Sequence, residues 1–209
     1  MVKRIASKLV TLLAAGLFVF AAGKLIHIGY DYWKNQRVLE EAQELYWSRE
    51  SKDSGKAHAG SNEEAGENEE QRASFDQLHE VNTDIVGWLA IGGTVIDYPV
   101  LQGEDNDYYL NRNFKREQTR AGSIFMDYRN DPMSLGRHTI LYGHRMKDGS
   151  MFSDLTSFTD ESFFSNPPDM YIDTVTDQYD IEVFAAYYTD TRFYYIETDF
   201  ESDQAFASF

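Results

Sequence analysis

Hydrophobic and polar positions divide the chain into three regimes. An uncharged stretch runs from Leu9 to Gly23, breaks at Lys24, and resumes from Leu25 to Tyr30. Its 15-residue core is short for a bilayer, but Lys24 can snorkel, and Leu9 to Tyr30 has the roughly 20-residue length that a crossing requires. Tyr30, Tyr32 and Trp33 fall where an interfacial aromatic belt would lie. Ala21-Ala22-Gly23 could serve a signal peptidase, but apolar character continues past it to Ile28, which favours an uncleaved anchor over residues 1–30. From Asp31 to Arg49 the apolar Val38, Leu39, Ala42, Leu45 and Tyr46 alternate with charged residues, predicting a helix that leaves the membrane. Residues 50–72 hold no aliphatic side chain larger than Ala and are expected to form a flexible acidic stalk, with His58 solvated inside it.

The third regime, residues 73–209, is strand-rich. A short helix carrying Phe75, Leu78 and Val81 opens it. Two β-branched and aromatic runs follow, Ile85 to Ile91 and Thr94 to Val100, joined by the hairpin signal Gly92-Gly93. Asp105 to Asn111 predicts a turn or short helix, Gly122 to Met126 and His138 to Tyr142 predict strands, and Met151 to Phe158 and Glu161 to Phe164 predict short helices. Met170 to Val175 and Tyr179 to Tyr188 predict a further strand pair, and Ser202 is placed to cap a helix with Ala205, Phe206 and Phe209 on its apolar face. Short strands with scattered small helices predict a mainly β fold, a mixed barrel rather than a layered α/β sheet.

Charge refines this picture. Residues 1–49 carry seven Lys/Arg against four Asp/Glu, whereas residues 73–209 carry nine against 24, within a net charge of −16. The acidic domain repels phosphates, which excludes nucleic acid as a partner class. Lys3, Arg4 and Lys8 before the apolar segment hold that end in the cytoplasm, so the remainder faces outward as a single-pass cell-membrane protein. The sequence contains no cysteine, so it can form neither disulfides nor thiolate metal sites.

The candidate chemistry centres on LYGHRMKDGSMF, Leu141 to Phe152. Thr139 to Tyr142 reads as a buried strand, Gly143 breaks it, and His144 emerges at the strand end, where a scaffold can hold an imidazole rigidly. Taken alone, a histidine beside a glycine is ordinarily structural, and His27, His79 and His138 are read that way. His138 and His144 are six residues apart, without the i, i+4 spacing or the carboxylates of a zinc site. Asp127, Asp131 and Asp148 offer only weak calcium chemistry, with no EF-hand-like spacing.

Four segments in order resemble class B sortases, the cysteine transpeptidases of Gram-positive cell surfaces. They are DIVGWLAIGGTVIDYPVLQGEDNDYYLNRNF (Asp84 to Phe114), GSIFMDYRND (Gly122 to Asp131), HTILYGHRMKDGSMF (His138 to Phe152) and YIETDF (Tyr195 to Phe200). The resemblance implies a closed β-barrel of about eight strands preceded by a transmembrane helix. It also implies an enzyme that cleaves a sorting signal after threonine and passes the acyl group, held as a thioester, to an amine of the peptidoglycan cross-bridge. Its partners are then sorting-signal-bearing surface proteins, the cross-bridge amine and the membrane; it implies no cofactor and no metal.

His144 takes the proton donor and acceptor role by this resemblance, and Asn106, Leu110 and Tyr142 match positions that line the sorting-signal groove. For Asn106 and Leu110 packing and turn-capping are equally good explanations, and for Tyr142 a place in a core strand is the simpler one. The family's cysteine and arginine fall beyond the equivalent of Phe209, so the chain is expected to lack the C-terminal strands and to be inactive as it stands. Ser150 and Ser153 follow His144 but sit at the start of an expected helix, without the orienting acid a serine nucleophile needs. Arg145 is expected in solvent. The rival reading is a non-catalytic surface module that binds a peptide or glycan through its tyrosines.

Overall fold

The computed structural model describes residues 2–47, 75–190, 192 and 194–209. The stalk with His58 and the domain start at residue 73 lie outside the described residues. A single helix, α1 (Val2–Trp47), fills the N-terminal region. Its Ser7–Trp47 portion contains an 18-residue window of mean hydropathy 2.2, none of it buried, which is long and apolar enough to cross a membrane.

The second half of α1 does more than extend the apolar segment. Asn35, Val38, Ala42 and Tyr46 recur every three or four residues along one face and are buried against the domain. With Phe75 and Leu78 of the short helix α2 (75–81), Val38, Ala42 and Tyr46 pack on Trp88, Leu101, Tyr109, Phe114 and Phe125. Lys34 pairs with Glu117 at 3.3 Å, and Lys115 forms a further ion pair with Glu41. Val38, Ala42 and Tyr46 of α1 therefore belong to the domain's hydrophobic core.

Among the described residues, six strands form one sheet in the order β4-β3-β2-β1-β5-β6. They are β1 (Ile85–Ile91), β2 (Asp97–Leu101), β3 (Ile124–Met126), β4 (Leu141–Tyr142), β5 (Met170–Thr174) and β6 (Gln178–Asp180). Strand β1 pairs antiparallel with both β2 and β5, and β2 pairs parallel with β3. Both faces of the sheet are covered. Trp88, Ala90 and Phe125 face α1 and α2, while Leu89, Ile91, Ile124 and Met126 face a second core with Met151, Phe158 and Ile172. Burial on both faces explains why Ile85–Ile91 is a near-continuous apolar run rather than an alternating one.

Several elements are shorter than the sequence predicts. Thr94 turns out of the β1–β2 hairpin: its hydroxyl donates to the Ile91 carbonyl at 2.8 Å and accepts from Ile96 N at 3.0 Å, so β2 starts at Asp97. His138 lies before β4, its Nδ1 2.5 Å from the Glu197 carbonyl. Strand β6 ends at Asp180, and the expected strand to Tyr188 is not formed; Phe184, Tyr187 and Tyr188 project into solvent. The short helices do form, as 3-10 turns at Tyr108–Asn111 and Phe152–Thr159, and as α3 (Glu161–Ser165) and α4 (Asp203–Ser208). Ser202 caps α4 by accepting from Ala205 N at 3.1 Å.

Candidate active site

His144 follows β4 directly, and two glycines allow the approach of the elements around it. A Cβ on Gly143 would overlap the Ile124 side chain and come within 2.7 Å of the Phe152 ring, so only glycine lets β4 lie against both. Gly122 has φ of +60°, and a Cβ there would meet the carbonyls of Tyr109 and Leu110 at 2.7 and 2.5 Å. The 3-10 turn Tyr108–Asn111 can therefore press its carbonyls toward β3 and β4. Phe152 N donates to the His144 carbonyl at 2.9 Å, and Arg145 bridges to Met151, closing the loop after the histidine.

The half-buried His144 ring directs Nε2 at the Leu110 carbonyl, 2.8 Å away. A carbonyl oxygen only accepts, so Nε2 carries the hydrogen and donates. The contact thereby fixes the tautomer of the neutral ring, with the hydrogen on Nε2 and Nδ1 as the acceptor nitrogen.

A second cluster forms on the fully buried carboxylate of Asp127, just past the end of β3. Arg129 grips it through two parallel bonds, Nε to Oδ1 and Nη2 to Oδ2, both 2.8 Å. Tyr142 donates its hydroxyl to Oδ2 at 2.8 Å, and Asn106 donates Nδ2 to the same oxygen at 2.9 Å. The Asn106 Oδ1 accepts from Tyr128 N at 3.1 Å, which fixes which way its amide faces. Arg129 chiefly, aided by the Tyr142 and Asn106 donors, holds the Asp127 carboxyl well below the usual carboxylate range. Burial, reinforced by Asp127, pushes the Tyr142 phenol up to about 12.

The four residues singled out from the sequence thus meet as two hydrogen-bonded groups, Leu110 with His144, and Asn106 with Tyr142 through Asp127. Leu110 contributes its backbone carbonyl to this contact. Asp127 is taken up by these donors, Asp131 by Met133 N and Asp148 by Ser150, so the three carboxylates considered for calcium are engaged separately. Ser150 donates to Asp148 at 2.7 Å and Ser153 to the Met146 and Ser150 carbonyls, which turns both hydroxyls to loop stabilisation. Arg145 is exposed. It borders an apolar cleft of about 420 Å³ with Phe152, Leu155, Phe158 and Val183. A larger hollow of about 740 Å³ lies between α1 and the β1–β2 turn and contains none of the four site residues. Asp127 as an anchor and Arg129 were not recognised from the sequence; the only local signal is an Asp-x-Arg at the end of an apolar run.

No protein-family model matches the chain. It is 41% identical over 208 residues to sortase B of Listeria monocytogenes serovar 1/2a, a match spanning 100% of this chain and 80% of that protein. Sortase B of Staphylococcus aureus strain NCTC 8325 is 45% identical over 141 residues, 68% of this chain and 58% of that one. Among solved structures, Bacillus anthracis sortase B in complex with AAEK1 superposes with a TM-score of 0.70 at 48% identity, covering 87% of this chain and 78% of the other. The Staphylococcus aureus sortase B–substrate complex gives 0.73 at 37% identity, covering 86% and 76%.

Proposed function

Because this chain belongs to the class B sortase family, we propose that its site is the acid–base and substrate-groove portion of a sorting transpeptidase, with His144 as the proton donor and acceptor. The observation that carries the reading is the Nε2 contact to the Leu110 carbonyl, which fixes the ring and leaves Nδ1 for proton transfer. In the proposed reaction a cysteine thiolate attacks the carbonyl carbon of the threonine in the sorting signal. Imidazolium His144 then gives a proton to the departing amine as the C–N bond breaks, leaving a thioester. A cross-bridge amine attacks that thioester, the now neutral imidazole takes its proton, and the thiolate leaves. Asn106, Leu110 and Tyr142 line the groove that receives the signal, and α1 anchors the enzyme with its domain outside the cell.

The thiolate cannot come from these 209 residues, which contain no cysteine, and neither can a thioester form on them alone. Joining the chain to the C-terminal portion of a class B relative that supplies cysteine and arginine should restore thioester formation with a fluorogenic sorting peptide. In that chimera His144→Ala should cut turnover by about two orders of magnitude or more. A folded chimera with a reactive cysteine that turns over equally well without His144 overturns the assignment.

A further inference from the structure

Asp127 is fully buried, yet it lies in neither an apolar packing position nor a structural ion pair alone. Its carboxylate accepts from two side chains that line the proposed groove, Asn106 and Tyr142, which come from different elements, the loop before the 3-10 turn and strand β4. Arg129 neutralises the charge, and its Nη2 also donates to the Ile196 carbonyl at 2.7 Å, reaching the segment after β6. The backbone beneath is fixed as well. Asp127 N donates to the Ile140 carbonyl at 2.9 Å, and Gln102 Nε2 donates to the carbonyls of Asp127 and Asn130 at 2.9 and 2.8 Å. The carboxylate therefore sits on a rigid platform and presents one oxygen, Oδ2, to both groove residues.

We propose that Asp127 is a positioning residue for substrate recognition, setting the direction of the Asn106 amide and the Tyr142 hydroxyl before a sorting peptide arrives. This role rests on the groove reading above. The chemistry specifies what is left for a ligand. With its proton committed to Asp127, Tyr142 can only accept. Asn106, with one N–H on Asp127 and its oxygen on Tyr128 N, keeps its second N–H as a donor. One oriented donor and one oriented acceptor complement an extended peptide, whose backbone offers one of each per residue. Groups held in place beforehand bind without the ordering cost that free rotors incur.

The test uses the full chain in detergent micelles and a fluorescein-labelled sorting-signal peptide. Asp127→Asn keeps the volume but places an amide where Arg129 and Asn106 both donate. Asp127→Glu keeps the ion pair and shifts the carboxylate by one methylene, and it decides the matter if Asp127→Asn fails to fold. Peptide affinity should fall about tenfold or more in either folded variant, the effect of losing one oriented hydrogen bond. The Asn106 side-chain amide, followed by NMR in the absence of peptide, should exchange with water at least about tenfold faster than in wild type. Merely structural damage would lower the melting temperature without that local signature. Wild-type binding left unchanged in a folded variant, or an unchanged Asn106 exchange rate, overturns the positioning role. A wild-type chain that does not bind the peptide at all overturns the groove reading itself.

Discussion

Two buried carboxylates, Asp127 beside the site and Asp173 beside α1, solve the same physical problem in opposite ways. Asp127 is paired with a guanidinium and stays ionised. Asp173, in β5 opposite Trp88 of β1, has as its principal partner the neutral hydroxyl of Tyr46, which donates to it. Burial pushes the Asp173 carboxyl above the ordinary carboxylate range, and burial together with that hydrogen bond raises the Tyr46 phenol as well. Tyr46 also stacks flat on Trp88 with ring centroids 4.2 Å apart, and Trp88 donates Nε1 to Asp97 at 2.6 Å. The difference teaches that burial alone does not determine how a carboxylate behaves in this protein. The partner's charge does, and the two regions should respond to acid with opposite signs.

Stability from Asp127, whose folded pKa is depressed, is present above the ordinary carboxylate value and is lost as pH falls toward the folded value. Stability from Asp173, whose folded pKa is raised, is fully present below the ordinary value and is lost as pH rises through the folded one. The largest expected effect is therefore at Asp127. Asp127→Asn should cost about 3 kcal/mol near neutral pH, because it weakens the charge-assisted hydrogen bonds from Arg129, Tyr142 and Asn106 together. Chemical denaturation across the acid range should show this deficit shrinking as wild-type Asp127 becomes protonated. A deficit independent of pH would mean that shape, and not charge, holds the platform.

Tyr46→Phe comes next. It removes the donor to Asp173 and should cost about 1–3 kcal/mol near neutral pH, read from the same denaturation curves. If the stacked ring on Trp88 were all that mattered, the phenylalanine variant would match wild type. Smallest is Asp173→Asn, which removes a carboxyl that burial disfavours in its charged form while keeping an oxygen to accept from Tyr46. It should be neutral or mildly stabilising at pH 7, with the gain fading in acid. A loss of several kcal/mol there would show Asp173 to be ionised and well paired, and the contrast with Asp127 would collapse.

Local pattern carried much of the architecture. The apolar runs around Gly92-Gly93, the Ser202 cap and the short helices after Met151 were all legible because each rests on neighbours in sequence. The ends of the strands were not. Thr94 is β-branched and suits a strand, but its hydroxyl finds two backbone partners in a turn. Tyr179 to Tyr188 has strand composition, yet only Gln178–Asp180 pairs with β5. Composition cannot say where a neighbour stops. At the candidate site, the position of His144 just past a strand end was legible through the glycine before it. Asp127 was not, because a carboxylate after an apolar run looks like a turn residue until Arg129, Tyr142 and Asn106 are brought to it from separate elements. The helix after Tyr30 was anticipated, but its docking depends on Trp88 and Asp173, more than 40 residues away.

The continuity of α1 has a mechanical consequence. Asn35, the first of the described α1 residues buried against the domain, lies only five positions after Tyr30 at the end of the apolar stretch. At 1.5 Å per residue that is a rise of roughly 8 Å. With the apolar half of α1 in a bilayer, the domain is fastened to its own mast almost at deck level, and it cannot swivel without unscrewing Tyr46 from Trp88. Height and heading above the lipid become fixed properties of the fold.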